Sequence, residues 1–233
     1  MELGLLRHIP GYSALRDAYP YYIGQSYRSF AEVFIVLAIA AGVLRGSGQS
    51  SLSVIGLDAA PWNGLKAAAL MVLPLYAVFA FAFGIAEMVP MEVLYLAFIS
   101  PFAEELVYRG FAFGMLRKVA GWGFWPAALL PAAFFAWGHF DQANDVVSMI
   151  MTVALVGGGA IVFSWLFEKW NGLWVPLAMH VTMNFAWNLF AVGDGAFAGT
   201  LRTIMQLTTV VIALLMTAFR HRIGLLAGTT DAK

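Results

Sequence analysis

Four side chains with the chemistry of a hydrolase interrupt long apolar stretches of this 233-residue chain: Glu104, His139, His180 and Asn184. A carboxylate or a neutral imidazole can take a proton from water, and an imidazole or an amide can donate a hydrogen bond to a developing oxyanion. We therefore expect Glu104 to deprotonate a water that His139 helps to position. His180 and Asn184 would then stabilise the tetrahedral oxyanion. Together the four residue types predict a hydrolytic site buried in a membrane.

Three charges, Glu104, Glu105 and Arg109, lie in the apolar stretch 91–116, which is long enough to cross a bilayer. Each charge at the centre of a membrane helix costs about 2.5–3.5 kcal/mol on insertion scales. Glu105 and Arg109 are spaced i, i+4 and are predicted to form an ion pair. Glu104 lies about 100° around the helix without a partner in its own stretch, which suits it to act as a general base. The alternative is that all three residues only stabilise packing, although packing rarely needs two adjacent glutamates.

The two histidines lie in later apolar stretches. Phe135 precedes His139 by one helical turn and shares its face, so we expect Phe135 to support the site. His180 and Asn184 are spaced i, i+4 and share one face of a further helix. Taken singly, His139 has an alternative role as an interfacial residue at a helix end, and the His180–Asn184 pair as interhelical hydrogen-bonding groups.

The same residues also suit a metal ion. Glu104, His139 and His180 make a two-histidine, one-carboxylate set that would hold a divalent metal such as zinc. The chain has no His-Glu-x-x-His sequence, and it has no cysteine, which excludes disulfides, thiolate nucleophiles and cysteine-ligated metals. The residues alone therefore leave two mechanisms open, one without a cofactor and one with a divalent metal.

Composition places the chain in a membrane. Hydrophobic residues make up 61% of it and charged residues 11%, and the mean hydropathy is +0.80. Soluble domains carry about 25% charged residues. Repeated apolar runs predict an all-α, polytopic transmembrane helical bundle of about seven helices, with six to eight as the range, surrounded by membrane lipid. The formal net charge of zero gives no indication of a nucleic-acid partner.

The seven predicted spanning helices cover residues 29–44, 65–87, 91–116, 124–139, 146–167, 173–192 and 200–219. Residues 1–28 are predicted to be an interfacial segment, residues 29–220 a single transmembrane domain, and residues 221–233 a basic tail. The glycine triplet 157–159 is expected to permit close helix packing. With seven spans, more Lys and Arg fall on the side that holds the C-terminus, which predicts a cytoplasmic C-terminus.

Three short motifs resemble those of the CAAX protease and bacteriocin-processing family, also called the Abi family. Residues 104–109 read EELVYR and resemble its E-E-x-x-x-R motif. Residues 135–139 read FAWGH and resemble F-x-x-x-H, and residues 180–184 read HVTMN and resemble H-x-x-x-N. The motifs occur in the family's order, each in its own apolar stretch, within a motif core of residues 92–188.

The resemblance implies an intramembrane endopeptidase similar to the Ras-converting CAAX endopeptidases, with a peptide or protein as substrate. In the family mechanism Glu104 and His139 activate the water, and His180 and Asn184 form the oxyanion hole. Glu105 and Arg109 support Glu104. It also implies a glutamate-type mechanism without a cofactor, beside the metal-dependent alternative. The small, single-domain chain resembles bacterial members, which predicts location in the bacterial inner (cytoplasmic) membrane.

Two other function classes compete with the peptidase. A non-catalytic membrane scaffold or bacteriocin-immunity protein would keep the fold and lose nothing when Glu104 is neutralised. A small-solute transporter would carry flux across a bilayer and would normally show repeated halves or paired broken helices, and the sequence shows no such repeat. The peptidase is the favoured interpretation because four polar groups of complementary function recur in one small bundle.

Overall fold

The computed structural model describes residues 11–140, 145–193 and 195–220, and over these ranges the chain is helical. The described part contains no β-strand, only an isolated antiparallel bridge between Ile85 and Phe190. The predicted all-α, polytopic helical bundle is therefore confirmed. Residues 1–10 and the predicted basic tail, 221–233, lie outside the described residues.

Nine helical stretches follow one another along the described chain. They are α1 (Tyr12–Ala18), α2 (Pro20–Val43), α3 (Ser51–Ile55), α4 (Pro61–Ala82), α5 (90–119), α6 (Phe124–Trp137), α7 (Val146–Lys169), α8 (Trp174–Leu189) and α9 (Ala196–Ala218). Seven of these, α2 and α4 to α9, match the seven predicted helices to within a few residues at most ends. Within the described ranges, four are long and apolar enough to cross a membrane: α2, α4, α7 and α9.

The main difference in bounds is at the start of α2, which begins at Pro20 instead of the expected residue 29. Proline is well suited to the first turn of a helix, where its missing N–H has no partner to lose. Among the polar residues that follow Pro20, the side chains of Ser26 and Ser29 are buried inside the bundle. The helix therefore extends through a stretch whose polarity suggested an interfacial segment.

Helix α5, which carries the glutamates, alternates between α and π windings. Its π-helical turns cover Leu94–Ile99, Glu105–Phe113 and Met115–Val119. Wide turns of this kind are frequent at functional sites, because they rotate side chains and change the pairing of backbone carbonyls. Pro101, which lacks an N–H, lies between the first two wide turns and contributes to this irregular pairing.

Two close backbone approaches fix α5 and α8 in the bundle. A Cβ placed on Gly114 of α5 would lie 2.6 Å from the Val54 carbonyl oxygen of α3, so only glycine allows this contact. A Cβ on Gly64 of α4 would lie 2.6 Å from the Cβ of Trp174 at the start of α8. Small residues at such crossings let membrane helices pack backbone to backbone, which holds the elements that carry the polar groups.

The glycine triplet 157–159 in α7 packs differently from the expectation. A Cβ on Gly157 would meet the Cβ of Ala136 at 3.5 Å, an ordinary contact. At Gly158 and Gly159 an added Cβ would meet no atom of the described structure within 4 Å. The expectation of close packing is therefore wrong for these two glycines, because they face open space instead of a neighbouring helix.

Candidate active site

The two adjacent glutamates of α5 point in different directions. Glu105 is completely buried, whereas the Glu104 side chain is 27% exposed. Neighbouring residues on a helix are separated by about 100°, so one carboxylate faces the core and the other faces a cavity. The sequence therefore places two carboxylates side by side and the fold separates them into two environments.

The predicted ion pair between Glu105 and Arg109 is present. Arg109 Nη1 lies 2.9 Å from Glu105 Oε1, and the Arg109 side chain is 2% exposed. The guanidinium carbon lies 4.6 Å from the centre of the Phe135 ring and 5.4 Å from that of Phe163, so two aromatic rings flank the cation. Phe135, which sequence reasoning placed beside His139, therefore also covers the buried cation.

His180 lies between the two glutamates. Its Nδ1 is 2.8 Å from Glu105 Oε1, and its Nε2 is 3.8 Å from Glu104 Oε2. An ionised carboxylate only accepts hydrogen bonds, so the Nδ1–H donates to Glu105 and Nε2 is directed towards Glu104. Sequence reasoning missed this contact, because the two partners are 75 residues apart and no local spacing reports it.

The Glu104 carboxylate is held by its own helix. Ser100 Oγ donates a hydrogen bond of 2.6 Å to Glu104 Oε1 from one turn earlier. The i, i+4 spacing was available in the sequence, and it could have identified Ser100 as a partner of the carboxylate. The bond fixes one oxygen of Glu104 and leaves the other on the side of His180.

His139 has a defined ring orientation. Its Nδ1 lies 2.7 Å from the Phe135 carbonyl oxygen, which can only accept, so Nδ1 carries the proton in this contact. The ring also packs on Phe135 with centroids 4.6 Å apart. In the neutral imidazole Nε2 then carries the lone pair, which is the arrangement a proton acceptor needs.

Asn184 is tied to α5 by its side chain. Asn184 Nδ2 donates to the Leu96 carbonyl at 3.0 Å, and Leu96 belongs to the first π-helical turn. One of the two N–H bonds of the amide is used in this way, and the second remains for a ligand. The Leu96 carbonyl is a further partner that no side-chain motif could indicate.

Two cavities meet at Phe135 and His139, which line both. The first, of about 360 Å³, also has Arg109, His180 and Asn184 in its wall. The second, of about 540 Å³, has Glu104, Ser100 and Tyr108 in its wall, together with polar residues of α2. The predicted residues therefore come together around one junction from α5, from the turn after α6, which holds His139, and from α8. Glu104 lies on one side of this junction and the His180–Asn184 pair on the other.

The described part of the chain contains no preformed set of ligands for a metal ion. There, no three His, Cys, Asp or Glu side chains lie close enough together to hold a metal ion. Two Nδ1 atoms are already engaged, that of His139 with a carbonyl and that of His180 with Glu105. The donor atoms of the described residues therefore do not converge on one point, and chelation is the test of metal dependence.

Comparison with known proteins gives two matches to the middle of the chain. Residues 86–186 match the family described as Rce1-like, type II CAAX prenyl endopeptidase Rce1-like. A protein of Bacillus subtilis (strain 168) named "Putative membrane peptidase YdiL" is 24% identical over 98 residues. That match covers 42% of this chain and 36% of the relative, so about a third of the relative's length is represented. No solved structure gives a significant match. The family resemblance predicted from the motifs is thus confirmed over residues 86–186, which contain all three.

Proposed function

We propose, from the Rce1-like match of residues 86–186, that this chain is an intramembrane endopeptidase that hydrolyses a peptide bond with a glutamate-activated water. The observation that carries the proposal is the position of His180, between a buried carboxylate at 2.8 Å and a cavity-facing carboxylate at 3.8 Å. In this arrangement Glu104 can accept a proton from water while His180 donates a hydrogen bond to the oxyanion of the same peptide group.

Glu104 and His139 are the proposed activators of water. Glu104 Oε1 is held by Ser100 at 2.6 Å, and the carboxylate opens onto the larger cavity, where water can reach it. His139 lines the same cavity and presents the lone pair of Nε2, since its Nδ1–H is engaged by the Phe135 carbonyl. A water between the two groups would give a proton to Glu104 as its oxygen attacks the carbonyl carbon, with His139 positioning that water. Glu104 would then pass the proton to the nitrogen of the leaving amine as the C–N bond breaks.

His180 and Asn184 are the proposed oxyanion donors. His180 donates from Nε2 only as an imidazolium, because its Nδ1–H is already given to Glu105. Asn184 adds the second N–H of its amide from the wall of the smaller cavity. Each preorganised donor of this kind typically contributes a factor of about 10²–10³ to kcat.

Glu105, Arg109 and Phe135 are positioning residues in this scheme. Glu105 orients the His180 ring, and Arg109 compensates the charge of Glu105 at 2.9 Å. Phe135 covers the guanidinium and supplies the carbonyl that fixes the His139 tautomer. Glu105 therefore has a second proposed role, because it orients His180 in addition to supporting Glu104.

The test is cleavage of a peptide library by the purified protein in detergent, with Glu104→Gln and Glu92→Gln compared. Glu92 is a carboxylate of the same helix that lines neither cavity, so its amide controls for insertion and folding. We expect Glu104→Gln to abolish cleavage, by a factor of about 10³ or more, and Glu92→Gln to retain it. Equal activity of the two variants would refute the role of Glu104.

Chelation in the same assay separates the two mechanisms. Cleavage that survives chelator supports the scheme without a cofactor, whereas cleavage restored only by added zinc would make Glu104, His139 and His180 ligands. No cleavage by the parent chain in lipid vesicles would favour the scaffold, and solute flux would favour the transporter. Membrane lipid and a peptide or protein substrate are the proposed partners. The bacterial inner membrane and a cytoplasmic C-terminus stay predictions.

A further inference from the structure

Two glycines in α7 have no packing reason to be glycine. Glycine is the poorest helix former after proline, and Gly158 and Gly159 lie inside a helix that runs to Lys169. An added Cβ at either position would meet no described atom within 4 Å, and neither residue has a positive φ. The bundle itself would therefore accept a side chain at both positions, and the reason for its absence lies outside helix packing.

Both glycines line the smaller cavity, the one that contains the proposed oxyanion donors. This cavity of about 360 Å³ is walled by His180 and Asn184 on one side and by apolar residues of α9, Leu207 and Val210, on another. Gly157, one residue earlier, does not line it and instead meets Ala136. The open space beside Gly158 and Gly159 is therefore continuous with the position where the proposed reaction would take place.

A buried donor also lies in the wall of this cavity. Arg109 is 2% exposed, and its Nη1 is ion-paired with Glu105 Oε1 at 2.9 Å but makes no hydrogen bond to any described residue, so it can donate to a backbone carbonyl of a peptide. A cavity that combines apolar walls with a few buried polar groups is the usual form of a small-molecule or side-chain pocket.

We propose that Gly158 and Gly159 are specificity-determining residues, and that their missing side chains make room for a bulky apolar side chain of the substrate next to the scissile bond. This inference rests on the proposed peptidase function. The occupant is apolar because the lining that α7 and α9 supply is apolar except for Gln206 of α9. It is large because two consecutive residues without side chains widen one wall. It is a residue of the substrate because the pocket adjoins His180 and Asn184.

The experiment compares Gly158→Ala, Gly159→Ala and the double variant with Gly157→Ala. Gly157→Ala is the matched control, since it adds the same methyl group to the same helix outside the cavity. Each protein is given two peptides that differ only by Phe or Ala beside the cleaved bond, and the ratio of the two kcat/KM values is measured. We expect the Phe-to-Ala ratio to fall about tenfold or more in the double variant, because one methyl group changes discrimination in an apolar pocket by that order. Gly157→Ala should keep the parent ratio.

The outcomes separate this inference from the function on which it rests. If the parent cleaves peptides and the double variant keeps the parent ratio, the inference is wrong and the peptidase stands. If the parent cleaves nothing, the proposed function fails and the inference fails with it. Thermal melting of each variant verifies folding, and the helix-favouring alanines should melt no lower than the parent. A ratio that falls equally in Gly157→Ala would show an effect of helix stiffness and would also overturn the inference.

Discussion

Removal of the Arg109 charge tests the buried network most directly. In Arg109→Met the side chain keeps most of its apolar volume, while Glu105, completely buried, loses the cation 2.9 Å away. Breaking a buried ion pair from one side costs about 3–5 kcal/mol, because the remaining charge is left uncompensated. The contacts of the guanidinium with Phe135 and Phe163 are lost as well, at 4.6 and 5.4 Å.

One contact offsets part of this cost. His180 still donates to Glu105 from Nδ1 at 2.8 Å, so the carboxylate keeps one hydrogen bond. We therefore expect a loss of about 3 kcal/mol, the lower end of the range for a broken buried pair. The measurement is the unfolding midpoint of the purified protein in detergent, followed by circular dichroism on heating or in a denaturant series.

Two further variants make the result interpretable. Arg117→Met removes a cation from a partly exposed pair, Arg117 Nε to Glu168 Oε2 at 2.7 Å, and should cost much less because solvent screens that pair. The double variant Glu105→Gln/Arg109→Met removes both buried charges and should recover part of the lost stability. If Arg109→Met unfolds like the parent, or if the double variant is less stable than the single one, the buried ion-pair reasoning is refuted.

Two smaller predictions concern the N-terminal cap of α7 and the contact between α5 and α3. The Ser148 backbone N–H and hydroxyl hold the pKa of the Asp145 carboxyl below its usual value. The cap of α7 is therefore fully stabilising above the pKa that Asp145 has in the unfolded chain. Its contribution is lost as the pH falls through the lower pKa that Asp145 has in the folded chain. Melting between about pH 7 and pH 3 should show a component that Asp145→Asn lacks, and identical profiles would contradict the cap. Gly114→Ala places a methyl group 2.6 Å from the Val54 carbonyl and should cost about 1–3 kcal/mol in the same melts, whereas unchanged stability would mean that α3 shifts freely.

The helices were predictable from the sequence because each depends on local information. Apolar runs of spanning length and their polar interruptions located α2 and α4 to α9. The pairing of Glu105 with Arg109 followed from their i, i+4 spacing, which the structure bears out at 2.9 Å. The start of α2 at Pro20, instead of residue 29, also has a local cause, since the polar and aromatic residues of 20–28 form no apolar run by which a helix could be located.

The contacts that complete the site depend on how the helices are arranged, and no spacing reports them. The bond from His180 to Glu105 joins residues 75 positions apart, and that from Asn184 to the Leu96 carbonyl joins residues 88 apart. The π-helical turns of α5 follow from irregular backbone pairing that side-chain periodicity does not show. Gly158 and Gly159 look like packing residues in sequence, and only the structure shows that a Cβ added at either would meet no described atom within 4 Å.

The wide turns of α5 also affect whether this helix can lose a residue without moving its ends. The helix is anchored at two places, by the Leu96 carbonyl to Asn184 and by the contact of Gly114 with Val54. A π winding holds one residue more per turn than an α winding, so it acts as an inserted residue that the helix has absorbed. Loss of a single residue between the anchors can tighten one wide turn without moving either of them. Related chains can therefore differ by one residue here and still present a carboxylate at the same point in space.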